Sequence, residues 1–337
     1  MPESTGVWSR ALGALFGLAI GDALGMPTQS LPRGEIVARY GGLITTFWAG
    51  PPGHPLAAGL PAGSITDDTE QAVLLGRLIA EGGGQIDAGD LASGLLAWEE
   101  SMRARGSLDL LGPSSRRALD ALASGAAVDE AGRYGVTNGA AMRVTPVGVA
   151  TPSGDPRRLE DRVVAASRVT HNTGVALAGA AAVAAAVSAG IDGIPLPGVI
   201  EFAVAAAASA ARRGHWVAGA DVAARIAWAT DLAAGQSDRV IDTVYRLVGT
   251  SLATQESVPA AFAVAAAAPD DPWLACRIAA SLGGDCDTIA AMTGAICGAR
   301  HGVQAFPQEA LDTVASVNGL DLGALAAGLL AVRASSS

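Results

Sequence analysis

Alanine dominates this chain of 337 residues and collects in runs that carry no charge, such as residues 175–191. Alanine is the best helix former, and the chain lacks any long alternation of apolar with polar residues, which would indicate a half-buried strand. Half of the residues are apolar and 16% are charged, as in a globular protein. No change of composition marks a domain boundary. The sequence therefore predicts an all-α fold with a single domain over residues 1–337 and a frayed C-terminal serine tail.

The basic residues exclude several chemistries, because all 22 of them are arginine. Without lysine the chain has no Schiff-base lysine, no P-loop lysine and no Ser-Lys dyad. The formal charge of −10 argues against a nucleic acid as partner, since such binders neutralise phosphates with basic residues. The three cysteines are an odd number without C-x-x-C spacing, so we expect reduced thiols and a cytoplasmic location.

Residues 175–191 form an uncharged run that has to be weighed against a membrane span. The run is mostly alanine and glycine, barely apolar enough to prefer lipid and slightly short for a span. The N-terminus lacks the pattern of a signal peptide. We therefore expect a buried central helix that packs closely through small residues, and no membrane partner.

Glycine recurs every four residues at Gly13, Gly17, Gly21 and Gly25. The first of these lie in a helix predicted over residues 8–20, which we expect to end near Gly21. Glycines at this spacing leave one edge of a helix bare, so a neighbouring backbone can approach it. The stretch that follows, up to residue 63, is predicted to be a long functional loop, and its His54 is expected to be solvated.

The stretch Thr66-Asp67-Asp68-Thr69 precedes an apolar run with helical spacing over residues 72–80. Thr66 or Asp67 is predicted to be the N-cap of this helix. One cap does not explain two adjacent carboxylates, which repel each other unless a cation lies between them.

A second acidic stretch, Asp285-Cys286-Asp287-Thr288, also leads into a helix-like run. The two stretches together offer hard oxygen ligands, which suit Mg²⁺, Mn²⁺ or Ca²⁺ rather than zinc. Four carboxylates exceed what one divalent ion needs, so we predict a two-metal site. The alternative is a pair of ordinary helix caps with surface aspartates. The predicted ligands are Thr66, Asp67, Asp68, Asp285, Asp287 and Thr288.

Three further residues are weaker candidates. Asn138-Gly139 is typical of a tight turn whose N–H groups are able to bind an anion, although Asn-Gly more often marks a plain turn. His171 precedes the long alanine helix and suits either a ligand contact or a capping role. Cys286 lies between two aspartates, where negative charge raises a thiol pKa and disfavours a nucleophilic thiolate.

These stretches resemble the ADP-ribosylglycohydrolase family, which includes dinitrogenase-reductase-activating glycohydrolases, ADP-ribosyl-acceptor hydrolases and J1 crystallins. The resemblance covers nearly the whole chain and rests on Gly21-Asp22-Ala23-Leu24-Gly25, Thr66-Asp67-Asp68-Thr69, Asn138-Gly139-Ala140-Ala141-Met142-Arg143, Thr170-His171, Val258-Pro259-Ala260-Ala261 and Gly283-Gly284-Asp285-Cys286-Asp287-Thr288-Ile289-Ala290-Ala291. It implies a single all-α domain that holds two divalent cations, Mg²⁺ or Mn²⁺, beside a ribose.

By this resemblance, Thr66, Asp67 and Asp68 ligate one ion, Asp285 and Thr288 the other, and Asp287 bridges them. Asp67 or Asp68 would steer or deprotonate the attacking water. Gln29, Asn138, Gly139 and His171 are the implied substrate contacts.

Three positions depart from the family pattern. Many members have glutamate where Gln29 stands, and a neutral amide is unable to act as a base. The block before Asn-Gly usually carries glycine where this chain has Thr137, and a β-carbon there would tighten a loop around a diphosphate. The family usually has threonine where Cys286 stands.

The expected function is removal of ADP-ribose from a modified acceptor, with arginine as the implied acceptor, by water attack at the ribose anomeric carbon. One alternative is hydrolysis of a small ribosyl or nucleoside-like metabolite, which Gln29 and Thr137 favour. Another is a non-catalytic crystallin-like or ADP-ribose-binding protein, against which the complete acidic set argues.

Overall fold

Eighteen α-helices and no β-strand make up the part of the chain that the computed structural model describes, residues 2–108, 110–236 and 239–335. In chain order they are α1 (Pro2–Gly25), α2 (Arg33–Tyr40), α3 (Asp67–Glu81), α4 (Ala88–Ala104), α5 (Pro113–Ala123), α6 (Val128–Ala131), α7 (Gly139–Arg143), α8 (Thr145–Ala150), α9 (Pro156–Ser167), α10 (Gly174–Ile191), α11 (Leu196–Ala210), α12 (Val222–Ala233), α13 (Val240–Thr243), α14 (Thr254–Ala267), α15 (Pro272–Ala279), α16 (Cys286–His301), α17 (Gln308–Asn318) and α18 (Leu322–Ser335).

Two short irregular turns complete the secondary structure, a π-helical turn at Val244–Val248 and a 3₁₀ turn at Val303–Ala305. The predicted all-α fold class is confirmed, and the buried apolar residues form one connected core from α1 to α18. The domain boundary at residues 1–337 stays a prediction. Residues 336 and 337 of the serine tail lie outside the described residues.

Helix α10 is the central helix of the fold, as predicted for residues 175–191. Thr173 caps it, with its hydroxyl accepting a hydrogen bond from Ala176 N at 3.2 Å. By length and composition alone, Gly6–Gly25 and Gly174–Ile191 are apolar enough to cross a membrane. However, 67% of the first and 94% of the second is buried inside the protein, so most of their apolar surface packs in the core.

Helices α1 and α16 pack backbone against backbone through facing glycines. A β-carbon added at Gly17 would lie 2.1 Å from Gly294 O, and one at Gly21 would lie 2.0 Å from Ala290 O. From the other side, a β-carbon at Gly298 would lie 2.0 Å from Gly13 O. The predicted close approach is confirmed. The predicted helix end near Gly21 is wrong, because these glycines are contact positions and α1 continues to Gly25.

The predicted long loop contains a helix that the sequence reading missed. Helix α2 follows Pro32 and ends at Gly41, which has a φ of 76°. Proline before a helix and a left-handed glycine after it are boundary signals, and they were interpreted as loop residues. Only Ile36 of this short helix is buried, so its apolar pattern is weak.

A glycine-to-alanine pair tests the α1–α16 contact. Gly21→Ala places a methyl group on a backbone carbonyl, and overpacking of this kind costs about 1–3 kcal/mol or more. Gly34, in α2, has no heavy atom within 4 Å of an added β-carbon, so Gly34→Ala should stabilise by about 0.5–1 kcal/mol through helix propensity. Thermal unfolding should show Tm falling for the first variant and rising for the second. Equal Tm values would contradict the tight contact.

Candidate active site

Asp22 of α1 ties the first acidic stretch to the core. Its carboxylate is fully buried and accepts hydrogen bonds from Thr66 Oγ1 at 2.8 Å and Thr69 Oγ1 at 2.5 Å, and also from both backbone N–H groups. Burial raises the pKa of Asp22 to about 6, against the lowering effect of the hydrogen bonds from Thr69 and Thr66. Thr66 is the N-cap of α3, as predicted, and accepts from Asp68 N at 3.4 Å. Sequence reasoning did not place Asp22 at the site, although a lone aspartate in a glycine-rich apolar helix was the available signal.

The second acidic stretch begins α16, with Asp285 as its N-cap residue. Its backbone N–H donates to Thr250 O at 2.7 Å. Asn138 Nδ2 donates to the Asp285 carboxylate and also lies 3.0 Å from Ser257 Oγ, and the Thr288 hydroxyl bonds the same carboxylate. Asn138, predicted as a substrate contact, therefore orients a predicted metal ligand.

The structure brings the two acidic stretches together around Asp68. This side chain is fully buried, and neither of its oxygens accepts a hydrogen bond from the described residues. Burial raises its pKa well above the usual value, and the negative charges of Asp287, Asp67, Asp22 and Asp285 raise it further. These charges come from the starts of both α3 and α16. The interpretation as surface aspartates on ordinary caps does not hold, since Asp287 is also only 3% exposed.

This cluster fits a divalent cation in its chemistry. In the part of the chain that the structure describes, no group of three or more His, Cys, Asp or Glu side chains closes around a single metal position. Nevertheless, a buried carboxylate without a hydrogen-bond donor carries negative charge that a cation would compensate. Hydroxyl and carboxylate oxygens are the donors that Mg²⁺ and Mn²⁺ prefer. The metal roles of the six predicted ligands stay a prediction.

A cleft of about 320 Å³ opens beside the cluster. Its polar lining includes Asp67, Asp285, Asp287 and Thr288, and leucines supply much of its apolar lining. The apolar and remaining lining residues are Gln29, Ser30, Leu56, Leu108, Leu110, Leu111, Gly112, Pro113, Ser115, Thr137, Asn138, Gly139, Met142 and Leu252. Four of the six predicted metal ligands and three of the four predicted substrate contacts thus line one cleft, as is typical of an active site. Thr66, Asp68 and His171 are buried and do not belong to its lining.

Gln29 lies in the wall of this cleft and is 4% exposed. Its Nε2 atom has no hydrogen-bond partner among the described residues, so a buried donor is left for a ligand. The next residue, Ser30, has a φ of 60°, a conformation that is unusual outside glycine.

His54 holds this segment, contrary to the expectation that it is solvated. The side chain is 4% exposed. Its Nδ1 accepts from Ala57 N at 2.9 Å and from Leu56 N at 3.2 Å, so Nε2 carries the proton and donates to Gln29 O at 2.8 Å. Burial lowers the pKa of His54, which keeps it neutral. A histidine in a proline-rich loop offered no signal for this role.

His171 lies behind the cleft wall rather than in the cleft. It is fully buried, and its ring nitrogens bond Thr137 Oγ1 at 2.9 Å and Thr170 Oγ1 at 2.7 Å. A β-carbon at Gly139 would lie 2.8 Å from His171 Cε1, so this glycine makes room for the ring. Direct substrate contact by His171 stays a prediction, and in this arrangement the ring reaches the cleft through Thr137.

Cys286 is a thiol rather than a thiolate. Burial, followed by the charge of Asp287, raises its pKa to about 12. The sequence reading named the aspartates as the cause, whereas burial is the larger one. The side chain packs in the core 3.2 Å from Thr28 Oγ1.

Comparisons with known proteins bear on the family and the fold. The family model described as ADP-ribosylglycohydrolase matches residues 3–337. The chain is 37% identical to the uncharacterized protein YegU of Escherichia coli K12, over 96% of this chain and 97% of that protein. It is 38% identical to the ADP-ribosyl-[dinitrogen reductase] glycohydrolase of Rhodospirillum rubrum, over 49% of this chain and 52% of that protein. A solved structure titled ADP-ribosylglycohydrolase-related protein complex superposes with a TM-score of 0.68 at 26% identity, covering 99% of this chain and all of that one.

Removing the charge of Asp68 should stabilise the protein when no metal is present. Asp68→Asn relieves a buried carboxylate that has no donor, an effect of about 1–3 kcal/mol, so Tm in EDTA should rise. Asp192→Asn is the matched control. Burial opposes ionisation of Asp192, but hydrogen bonds from Ser153 and the charge of Arg333 outweigh it and lower its pKa. The control should therefore lower Tm. A fall in Tm for Asp68→Asn would contradict the uncompensated charge.

Proposed function

This chain belongs to the ADP-ribosylglycohydrolase family, and we propose that it is a metal-dependent N-glycoside hydrolase that removes ADP-ribose from a modified acceptor. Arginine is the acceptor that the resemblance implies. The observation that carries the proposal is the convergence of two acidic helix starts on Asp68, beside a cleft that continues into uncharged walls.

The proposed site holds two divalent cations, Mg²⁺ or Mn²⁺. When bound, such ions orient the hydroxyls of a ribose and lower the pKa of a water molecule. The residues that would hold them are Thr66, Asp67, Asp68, Asp285, Asp287 and Thr288.

The protein's own groups supply orientation and proton transfer. Asp67 lines the cleft and is only half-buried, which supports a role for its carboxylate in steering or deprotonating the water that attacks the anomeric carbon. Asp68 supports it as the buried charge behind it. Asn138 and Thr288 hold Asp285 in one orientation. The leucines of the lining limit the access of bulk water, which strengthens these charge interactions.

A second candidate is a smaller ribosyl substrate, such as a nucleoside-like metabolite. The observation that favours it is Gln29, whose buried Nε2 donor has no partner among the described residues and whose amide carries no charge to pair with a guanidinium. The cleft volume of about 320 Å³ is also at the small end of the range for small-molecule sites.

The test is an assay of ADP-ribosyl-arginine against a panel of nucleosides, with and without EDTA. The proposal predicts release of ADP-ribose from the arginine conjugate, lost in EDTA and restored by Mg²⁺ or Mn²⁺. Asp287→Ala should abolish release while helicity by circular dichroism stays near that of the parent, since the carboxylates repel one another without metal. Turnover of nucleosides alone would establish the second candidate, and no turnover at all would favour a binding protein.

Gln29→Glu discriminates between the two candidates. A carboxylate there supplies a negative charge that pairs with a guanidinium, so release from ADP-ribosyl-arginine should rise about tenfold or more relative to nucleosides, the factor that corresponds to 1.4 kcal/mol. Ser30→Ala, next along the same turn, serves as control for disturbance of the segment. If Gln29→Glu leaves both rates and their ratio as in the parent, Gln29 does not set the substrate.

A further inference from the structure

A chain of buried hydrogen bonds connects two residues that line the cleft. At one end is Asp67, a predicted metal ligand, and at the other is Thr137; both line the cleft. The interior members are Gln71, Arg143, Thr170 and His171, each at most 1% exposed. Neither the proposed chemistry nor the packing of the core requires this polar chain.

Arg143 stands at the middle of the chain and joins its two arms. On one side Nη1 donates to Gln71 Oε1 at 3.1 Å, and Gln71 Nε2 donates to Asp67 Oδ2 at 3.2 Å. On the other side Nη2 donates to Thr170 Oγ1. From Thr170 the chain passes through His171 to Thr137.

Arg143 sets the direction of the hydrogen bonds on its Gln71 side, because a guanidinium has donors only. The guanidinium of Arg143 forces Gln71 to turn its side-chain oxygen toward Arg143, so the Gln71 N–H points toward Asp67. It also makes the Thr170 hydroxyl an acceptor, which leaves the proton of this hydroxyl for His171 Nδ1. With that tautomer, His171 Nε2 carries the ring proton and donates to Thr137. His171 is neutral in this scheme, in agreement with burial lowering its pKa well below the usual value.

Arg143 would be a costly residue if it only filled space. It is fully buried, both of its hydrogen bonds go to neutral groups, and its Nε has no hydrogen-bond partner among the described residues. A buried cation is tolerated where nearby negative charge compensates it. Asp67 is the charge that acts on Arg143 most directly.

We propose that Arg143 and Gln71 are positioning residues for Asp67, and that Arg143 holds the cleft residues Asp67 and Thr137 in a fixed relation through the two arms of the chain. The N–H of Gln71 fixes one oxygen of the Asp67 carboxylate, and Arg143 prevents the Gln71 amide from turning its oxygen toward that carboxylate. The inference rests on the proposed function for the role of Asp67 as a metal ligand.

Two variants that keep the net charge test this role. Gln71→Leu removes the donor to Asp67. Arg143→Lys replaces the guanidinium, which bonds both Gln71 and Thr170, with a single ammonium group. We expect the dissociation constant for Mn²⁺, measured by calorimetry on the full chain, to rise about 10- to 100-fold in each, as is usual when a hydrogen bond to a metal ligand is lost. Because the two residues act in series, the double variant should bind Mn²⁺ little worse than either single variant.

Arg333→Lys is the matched control. Arg333 is 6% exposed, donates to the carbonyls of Gly148, Val149 and Thr151, and pairs with Asp192. It lies outside the residues that line the cleft. Its replacement should lower Tm and leave the Mn²⁺ dissociation constant at the parent value, which separates loss of stability from loss of positioning.

Four outcomes overturn the inference. If the parent binds Mn²⁺ and the Gln71 and Arg143 variants bind it equally well, or if their effects add fully in the double variant, Asp67 is not positioned by this chain. If Arg333→Lys weakens Mn²⁺ binding as much as Arg143→Lys does, the effect is general destabilisation. A parent that binds no Mn²⁺ defeats the metal proposal itself, and the positioning role with it. Should Arg143→Lys fail to fold, Gln71→Leu alone decides.

Discussion

The rest of the structure depends on the close contact between α1 and α16, where glycines on both helices let two backbones touch. The same helix α1 carries Asp22, whose buried carboxylate collects the hydroxyl and backbone donors at the start of α3. Helix α1 therefore holds the acidic stretch at the start of α16 by direct packing. It holds the stretch at the start of α3 by hydrogen bonds to Asp22. A β-carbon at Gly25 would lie 2.3 Å from Asp287 Cα, so the packing reaches into the cluster itself.

This arrangement concentrates negative charge where water is excluded. Folding alone does not favour such a cluster, since the charge of each buried carboxylate raises the free energy needed to ionise its neighbours. The protein compensates part of the charge with donors to Asp22 and Asp285 and with the buried cation of Arg143, but Asp68 receives none of these donors among the described residues. Family membership and this remaining charge together support the proposal of bound divalent cations.

Sequence reasoning reached the features that local pattern encodes. Alanine runs and glycine spacing predicted the helices and the α1–α16 contact, and the two acidic stretches predicted a shared site. It did not reach features that exist only through tertiary contacts. His54 is buried because Gln29 O lies against it, and Arg143 becomes a central donor because Gln71 and Thr170 meet it from different helices and loops. Helix α2 was missed because its boundary residues also mark loops.

The central claim is that two distant acidic helix starts form one cation site. Anomalous diffraction from a crystal of the parent protein soaked in Mn²⁺ tests it most directly, because manganese is located without reference to activity. The account predicts two manganese peaks between the start of α3 and the start of α16, with carboxylate oxygens of Asp68 and Asp287 within about 2.0–2.6 Å of them, the range for hard cations. Manganese bound only elsewhere, or not at all at millimolar concentration, would contradict it.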